Sequence, residues 1–178
     1  MKRISKILPC SFIAAVTALA GFSALAQHTQ IEITNGLVLP PLIRTNGCVY
    51  QPVQTGITNG GLAIFPFAIT NAGEYWIQGS VLAPSEGENS FFVNIDAEPK
   101  DPNMIWDIPV TSSVTNHFVT WRGNGPPNSG QGARKVFVLT AGVHQLVIRG
   151  REANTRLSGL VVSPVVPPPL NVRIANAQ

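Results

Sequence analysis

The chain has 178 residues and a formal net charge of +3, and only 12% of its side chains are charged, against about a quarter in ordinary domains. Lys2, Arg3 and Lys6 account for the whole surplus: beyond them nine basic and nine acidic side chains remain. A nucleic-acid binder needs excess Lys and Arg to displace counterions, so a nucleic-acid partner is not expected.

In chain order, residues 1–26 read as a secretory signal peptide. Lys2, Arg3 and Lys6 form a charged start, Ser11 to Phe22 is a short apolar stretch, and Ala24-Leu25-Ala26 offers small residues for cleavage after Ala26. The stretch is too short to span a bilayer comfortably and no later one is long enough, so export to a secreted or periplasmic location without membrane insertion is expected. Pro9 before Cys10, with the apolar stretch after it, argues against a lipoprotein site. After cleavage Cys48 stands alone and is expected as a small buried apolar residue.

Residues 27–163 show no long helical period. Short apolar and β-branched runs lie between Gly, Pro, Asn and Asp turn signals, which predicts an all-β sandwich or barrel. Expected strands are 31–34, 47–51 and 62–69, then 74–83 after the Asn71-Ala72-Gly73 turn. Strands at 90–96, 104–108 and 117–122 follow, and 123–132 is a loop. Residues 134–139 and 143–150 are expected to form a hairpin through Thr140-Ala141-Gly142, and 157–163 closes the sheet. About ten short strands suit an antiparallel jelly-roll sandwich. In 74–83, alternation puts Tyr75, Ile77, Gly79 and Val81 on one face and Trp76, Gln78, Ser80 and Leu82 on the other. Residues 164–178 read as a Pro-rich linker or tail, because Pro167-Pro168-Pro169 cannot pair within a sheet.

Several segments together resemble galactose-binding-like carbohydrate-binding modules, similar to families 6 and 35. They are Phe67-Ala68-Ile69, Asn71 to Tyr75, Asn89 to Asp96, the aromatics Trp106, Phe118 and Trp121, Phe137-Val138-Leu139, and Ala141 to Glu152 with His144 and Arg149. The resemblance implies a β-sandwich that binds a polysaccharide or glycan, often beside a structural calcium and often joined to a catalytic domain. Two departures weaken the case for calcium: Thr34 stands where such modules carry a Glu, and Ser158 follows Leu157 where they often carry an Asp.

Proteins bind sugars by stacking aromatic rings on their apolar faces and meeting their hydroxyls with amides and charged groups. Trp106, Trp121 and Tyr50 are the stacking candidates, each weighed against core packing, whereas Trp76, in mid-strand, is expected in the core. Arg122 and Asn124, beside the 123–132 loop, are candidate polar partners. Asn154 lies where related modules keep a ligand-binding Asn; the other reading is a turn residue with a left-handed backbone. His144 is expected as a packed strand histidine. Arg151 and Glu152, adjacent in sequence, are expected to point to opposite faces and not to pair.

No nucleophile elbow, zinc spacing, phosphate loop or dinucleotide fingerprint is present. With the resemblance, the balanced charge and the aromatic candidates, the expected function is a secreted, monomeric, non-catalytic sugar-binding module, with structural calcium as the one cofactor the resemblance implies. The alternatives are a structural or adhesive extracellular module without a sugar site and, behind it, a polysaccharide lyase or hydrolase.

Overall fold

Alternation in the longest strand sets the geometry. In the computed structural model, which describes residues 28–123 and 133–165, strand β6 (Gly73–Leu82) buries Tyr75, Ile77, Gly79 and Val81 and turns Trp76, Gln78, Ser80 and Leu82 outward. The remaining strands are β1 (Thr29–Ile31), β2 (Leu37–Leu39), β3 (Ile43–Thr45), β4 (Cys48–Tyr50), β5 (Leu62–Ile69), β7 (Ser90–Ile95), β8 (Ile105–Asp107), β9 (Thr115–Phe118), β10 (Phe137–Leu139), β11 (Gly142–Gly150) and β12 (Arg156–Pro164). One 3₁₀ turn (Ile33–Asn35) follows β1.

All pairings are antiparallel and make two sheets. The seven-stranded sheet runs β10-β6-β12-β4-β3, with β1 added on β12 and β9 on β6; the five-stranded sheet runs β2-β5-β11-β7-β8. Their inner faces meet in a core that includes Phe65, Phe91, Trp106, Ile77, Leu146, Ile148, Leu157 and Leu160. The fold is the expected all-β, antiparallel jelly-roll sandwich.

The expected hairpin of 134–139 with 143–150 does not form. β10 pairs with β6 in one sheet, while β11 pairs with β5 and β7 in the other. Thr140-Ala141-Gly142 is an arch across the sandwich, turned at Gly142 with φ +137°. Phe137 and Leu139 on one side, and Leu146 and Ile148 on the other, enter the core from opposite sheets. A hairpin would have kept both strands in one sheet and left one core wall short of these side chains.

The hairpin that does form at the chain's start is β3–β4, in register Ile43–Tyr50 and Thr45–Cys48. Asn46 and Gly47 close it, both with positive φ, as a two-residue turn that follows strand twist requires. Cys48 is half-buried, not fully buried, and its thiol donates to the Thr45 carbonyl at 3.2 Å. No helix among the described residues is long and apolar enough to cross a membrane. Residues 1–26, read above as a signal peptide, Asn124 and most of the Pro-rich segment lie outside the described residues.

Candidate functional site

Trp106 is not a surface ring. It has 0% exposure, sits 6.2 Å from the Phe91 ring, and donates its indole N–H to His117 Nδ1 at 3.3 Å. The opposing strand makes room with Gly79: a Cβ there would come within 2.5 Å of the indole Cη2. The expectation of stacking on Trp106 is therefore corrected; a ring with no exposed surface meets no ligand.

Trp121 is half-buried. Its Nε1 donates to the Val93 carbonyl at 2.9 Å, and Phe137 meets its ring in a T-shaped contact at 5.7 Å. The Lys135 ammonium sits 4.2 Å over the indole, and burial pushes the Lys135 pKa down. Next to it, Arg122 grips Asp107 through two bonds of 2.7 and 2.8 Å, a fork that fixes its orientation. That hydrogen bonding, with the Asp107 charge, outweighs burial and pushes the Arg122 pKa up. Two of its donors are thus taken up by Asp107, while 33% of the side chain stays exposed.

Asn154 has φ +58° and is a turn residue with a left-handed backbone. Its amide donates to Glu88 Oε1 at 2.6 Å, and its backbone N–H to the Gln51 carbonyl at 2.8 Å. Gln51, fully buried, ties the same end of the sandwich through Val53 and Thr55. Arg151 and Glu152 do pair, through Arg151 Nη1 and Glu152 Oε1. The expectation of opposite faces fails because β11 ends at Gly150; the two residues lie in a turn, where strand alternation does not apply. Glu152 also accepts from the Asn89 N–H at 2.8 Å. Trp121, Arg122 and Asn154 thus each make contacts that hold loops in place.

The outward aromatics gather elsewhere, on the outer face of the seven-stranded sheet. Trp76 is there, half-buried, and the expectation that it belongs to the core is corrected. Its ring meets Phe118 of β9 at 5.9 Å, edge to face. The Arg134 guanidinium lies 4.0 Å from the Phe118 centroid and 5.4 Å from that of Trp76. Further along the same face, Tyr50 of β4 carries the Arg156 guanidinium 5.3 Å over its ring. Arg156 is registered with Leu82, six residues beyond Trp76 on β6; at about 3.4 Å per residue this separates the two aromatic groups by roughly 20 Å.

Polar side chains fill the interval. Gln78 and Ser80 point outward from β6, Ser80 donates to Asn116 Oδ1 at 2.7 Å, and Gln30 of β1 is in register with Val161, itself opposite Gln78. Sequence reading missed Trp76, although it had placed Trp76 with Gln78 and Ser80 on one face. The signal was that the opposite face, Tyr75-Ile77-Gly79-Val81, is the more apolar and so the inner one.

The two positions where the related modules carry carboxylates hold hydroxyl side chains here, Thr34 and Ser158. Thr34 is exposed and its hydroxyl contacts Asn35, and Ser158 donates to the Ser80 carbonyl. Among the described residues no group of three or more His, Cys, Asp or Glu is placed to hold a metal ion.

No family model matches the sequence, and no curated protein sequence matches it. Solved structures do match. The C-terminal CBM6 of LamC, a marine laminarinase from Zobellia galactanivorans, superposes with a TM-score of 0.55 at 13% identity, over 77% of this chain and 99% of that one. The module CBM6cm-2 of Cellvibrio mixtus lichenase 5A, solved with cellotriose, gives 0.52 at 16% identity, over 77% and 97%. A family 35 carbohydrate-binding module from Clostridium thermocellum gives 0.50 at 11% identity, over 79% and 100%. At such identities the likeness speaks for architecture, and the chain has the β-sandwich fold of family 6 and family 35 carbohydrate-binding modules.

Proposed function

We propose that this protein is an exported, non-catalytic module that binds a glycan on the outer face of its seven-stranded sheet. The observation that carries the reading is the placement of Trp76 and Tyr50 on one face, with Gln78, Ser80, Asn116 and Gln30 between them. Rings supply apolar platforms for sugar faces, and amides and hydroxyls pair with sugar hydroxyls. The sandwich shared with modules that carry carbohydrate-binding names supports the reading, as does the signal-like N-terminus.

Affinity electrophoresis through gels of neutral β-glucans, mannans and galactans tests it. The full chain should be retarded by at least one polysaccharide. Trp76→Ala should weaken that retardation by about tenfold or more, as loss of a central aromatic anchor does, and Tyr50→Ala by less. Loss of binding in Trp121→Ala, with Trp76→Ala unchanged, would move the site back to the loop end. A structural or adhesive module is the second reading, favoured by Leu37, Leu39 and Val143 exposed on the other sheet. Absence of retardation on every glycan would select it.

A further inference from the structure

His144 and His117 are wired in opposite senses. His144 of β11 is buried, and both its ring nitrogens face acceptors: Nδ1 lies 2.6 Å from Asp96 Oδ2 and Nε2 lies 2.9 Å from the Thr140 carbonyl. A neutral imidazole donates from only one nitrogen, so satisfying both contacts takes the doubly protonated cation. Asp96 itself is pinned, since its Oδ1 accepts from the Gln145 N–H at 2.8 Å. The third neighbour of the ring, from β5, is the uncharged Phe67 at 5.6 Å.

His117 of β9 faces a donor instead. Trp106 Nε1 donates to its Nδ1 at 3.3 Å, and an indole N–H cannot accept. That contact takes an unprotonated Nδ1, hence a neutral ring. β6 presents Gly79 to this position, in register with His117. The charged residue next to Trp106 on β8 is Asp107, held by Arg122.

We infer that these two histidines form a paired pH device in the fold, the His144–Asp96 clasp failing on the alkaline side and the Trp106–His117 contact on the acid side, so that stability peaks near neutrality. The electrostatics agree with the geometry. For His144, burial lowers the pKa, but the Asp96 hydrogen bond, the Thr140 carbonyl and the Asp96 charge outweigh it and leave the pKa raised. For His117, burial dominates over the Phe118 backbone bond and leaves it lowered. Linkage then fixes the signs. The His144 contribution is whole below the unfolded value of about 6.5 and is lost as pH rises through its higher folded value. The His117 contribution is whole above about 6.5 and is lost as pH falls through its lower folded value.

Two measurements on the full chain test this. Imidazole titrations followed by NMR, with the three rings assigned in the wild type through bonds to the backbone, should place the His144 midpoint above that of a free histidine and the His117 midpoint below it. Thermal midpoints recorded between about pH 5 and 8, the range in which histidine charge changes, should trace a dome. His144→Gln should flatten its alkaline limb only, and His117→Gln its acid limb only. Asp96→Asn, which keeps a hydrogen-bonding group but removes the charge, should lower the His144 midpoint and leave His117 unmoved. Midpoints in the reverse order, or an alkaline limb that persists in His144→Gln, would overturn the inference; the wild-type titrations decide it even if a variant fails to fold.

Discussion

Trp106 and Trp76 lie in opposite environments, one inside the sandwich and one on its outer face. Trp106 is fully enclosed, against Phe91 and above Gly79, with its N–H satisfied by His117. Trp106→Ala removes the largest buried side chain of the core and leaves His117 Nδ1 without its donor, so it should cost about 3–5 kcal/mol. Urea unfolding followed by circular dichroism measures this loss. Trp76→Ala leaves no enclosed cavity, because the ring lies on the outer face beside Phe118 and Arg134. Its stability cost should stay near 1 kcal/mol, the worth of an aromatic pair at a surface, while glycan binding falls. The two variants therefore separate packing from recognition: one should unfold early, and the other should stay folded and lose its ligand.

At the scale of elements, turn chemistry and alternation were legible where the strands were long enough to carry them. β6 spans ten residues, and its two faces can be read directly from the sequence. β8 is three residues, Ile105-Trp106-Asp107, too short to show a period, and both Ile105 and Trp106 are buried. Ile105 and its cross-strand partner Phe92 are both buried yet stand outside the main core cluster, so burial in β8 does not alternate. Alternation alone could not have assigned Trp106 to the interior. The Thr140–Gly142 arch was illegible for another reason: a chain reversal between strands looks the same in sequence whether it stays in one sheet or crosses to the other. The β3–β4 hairpin was announced by Asn46-Gly47, a dipeptide suited to positive φ, and reading it would have added β3. Gly47 has φ +74° and nothing within 4 Å of a Cβ placed on it. Gly47→Ala thus isolates backbone strain, expected at about 1–2 kcal/mol for a left-handed residue. The urea midpoint should fall accordingly, with the same dependence on denaturant as the wild type.

For the whole molecule, charge distribution decides what kind of recognition is open to it. Beyond the first six residues the sequence carries nine Lys and Arg and nine Asp and Glu side chains, and several of these are spent on one another: Arg122 on Asp107, Arg149 on Glu98 and Arg151 on Glu152; Asp96 is taken up by His144. On the proposed glycan face, the Arg134 and Arg156 guanidinium groups lie against aromatic rings, where their planes add apolar and cation–π contact. A face that works through rings, amides and hydroxyls gains little from long-range attraction, so its affinity for a neutral glycan should be nearly independent of ionic strength. Raising salt from about 0.01 M to about 1 M shortens the Debye length roughly tenfold. Over that range, the dissociation constant measured by titration calorimetry should stay within about a factor of two, because a neutral glycan carries no condensed counterions to release. A steep fall in affinity with salt would instead assign the binding to the two arginines and to an anionic ligand, and would shift the centre of recognition from the Trp76 ring to the guanidinium beside it.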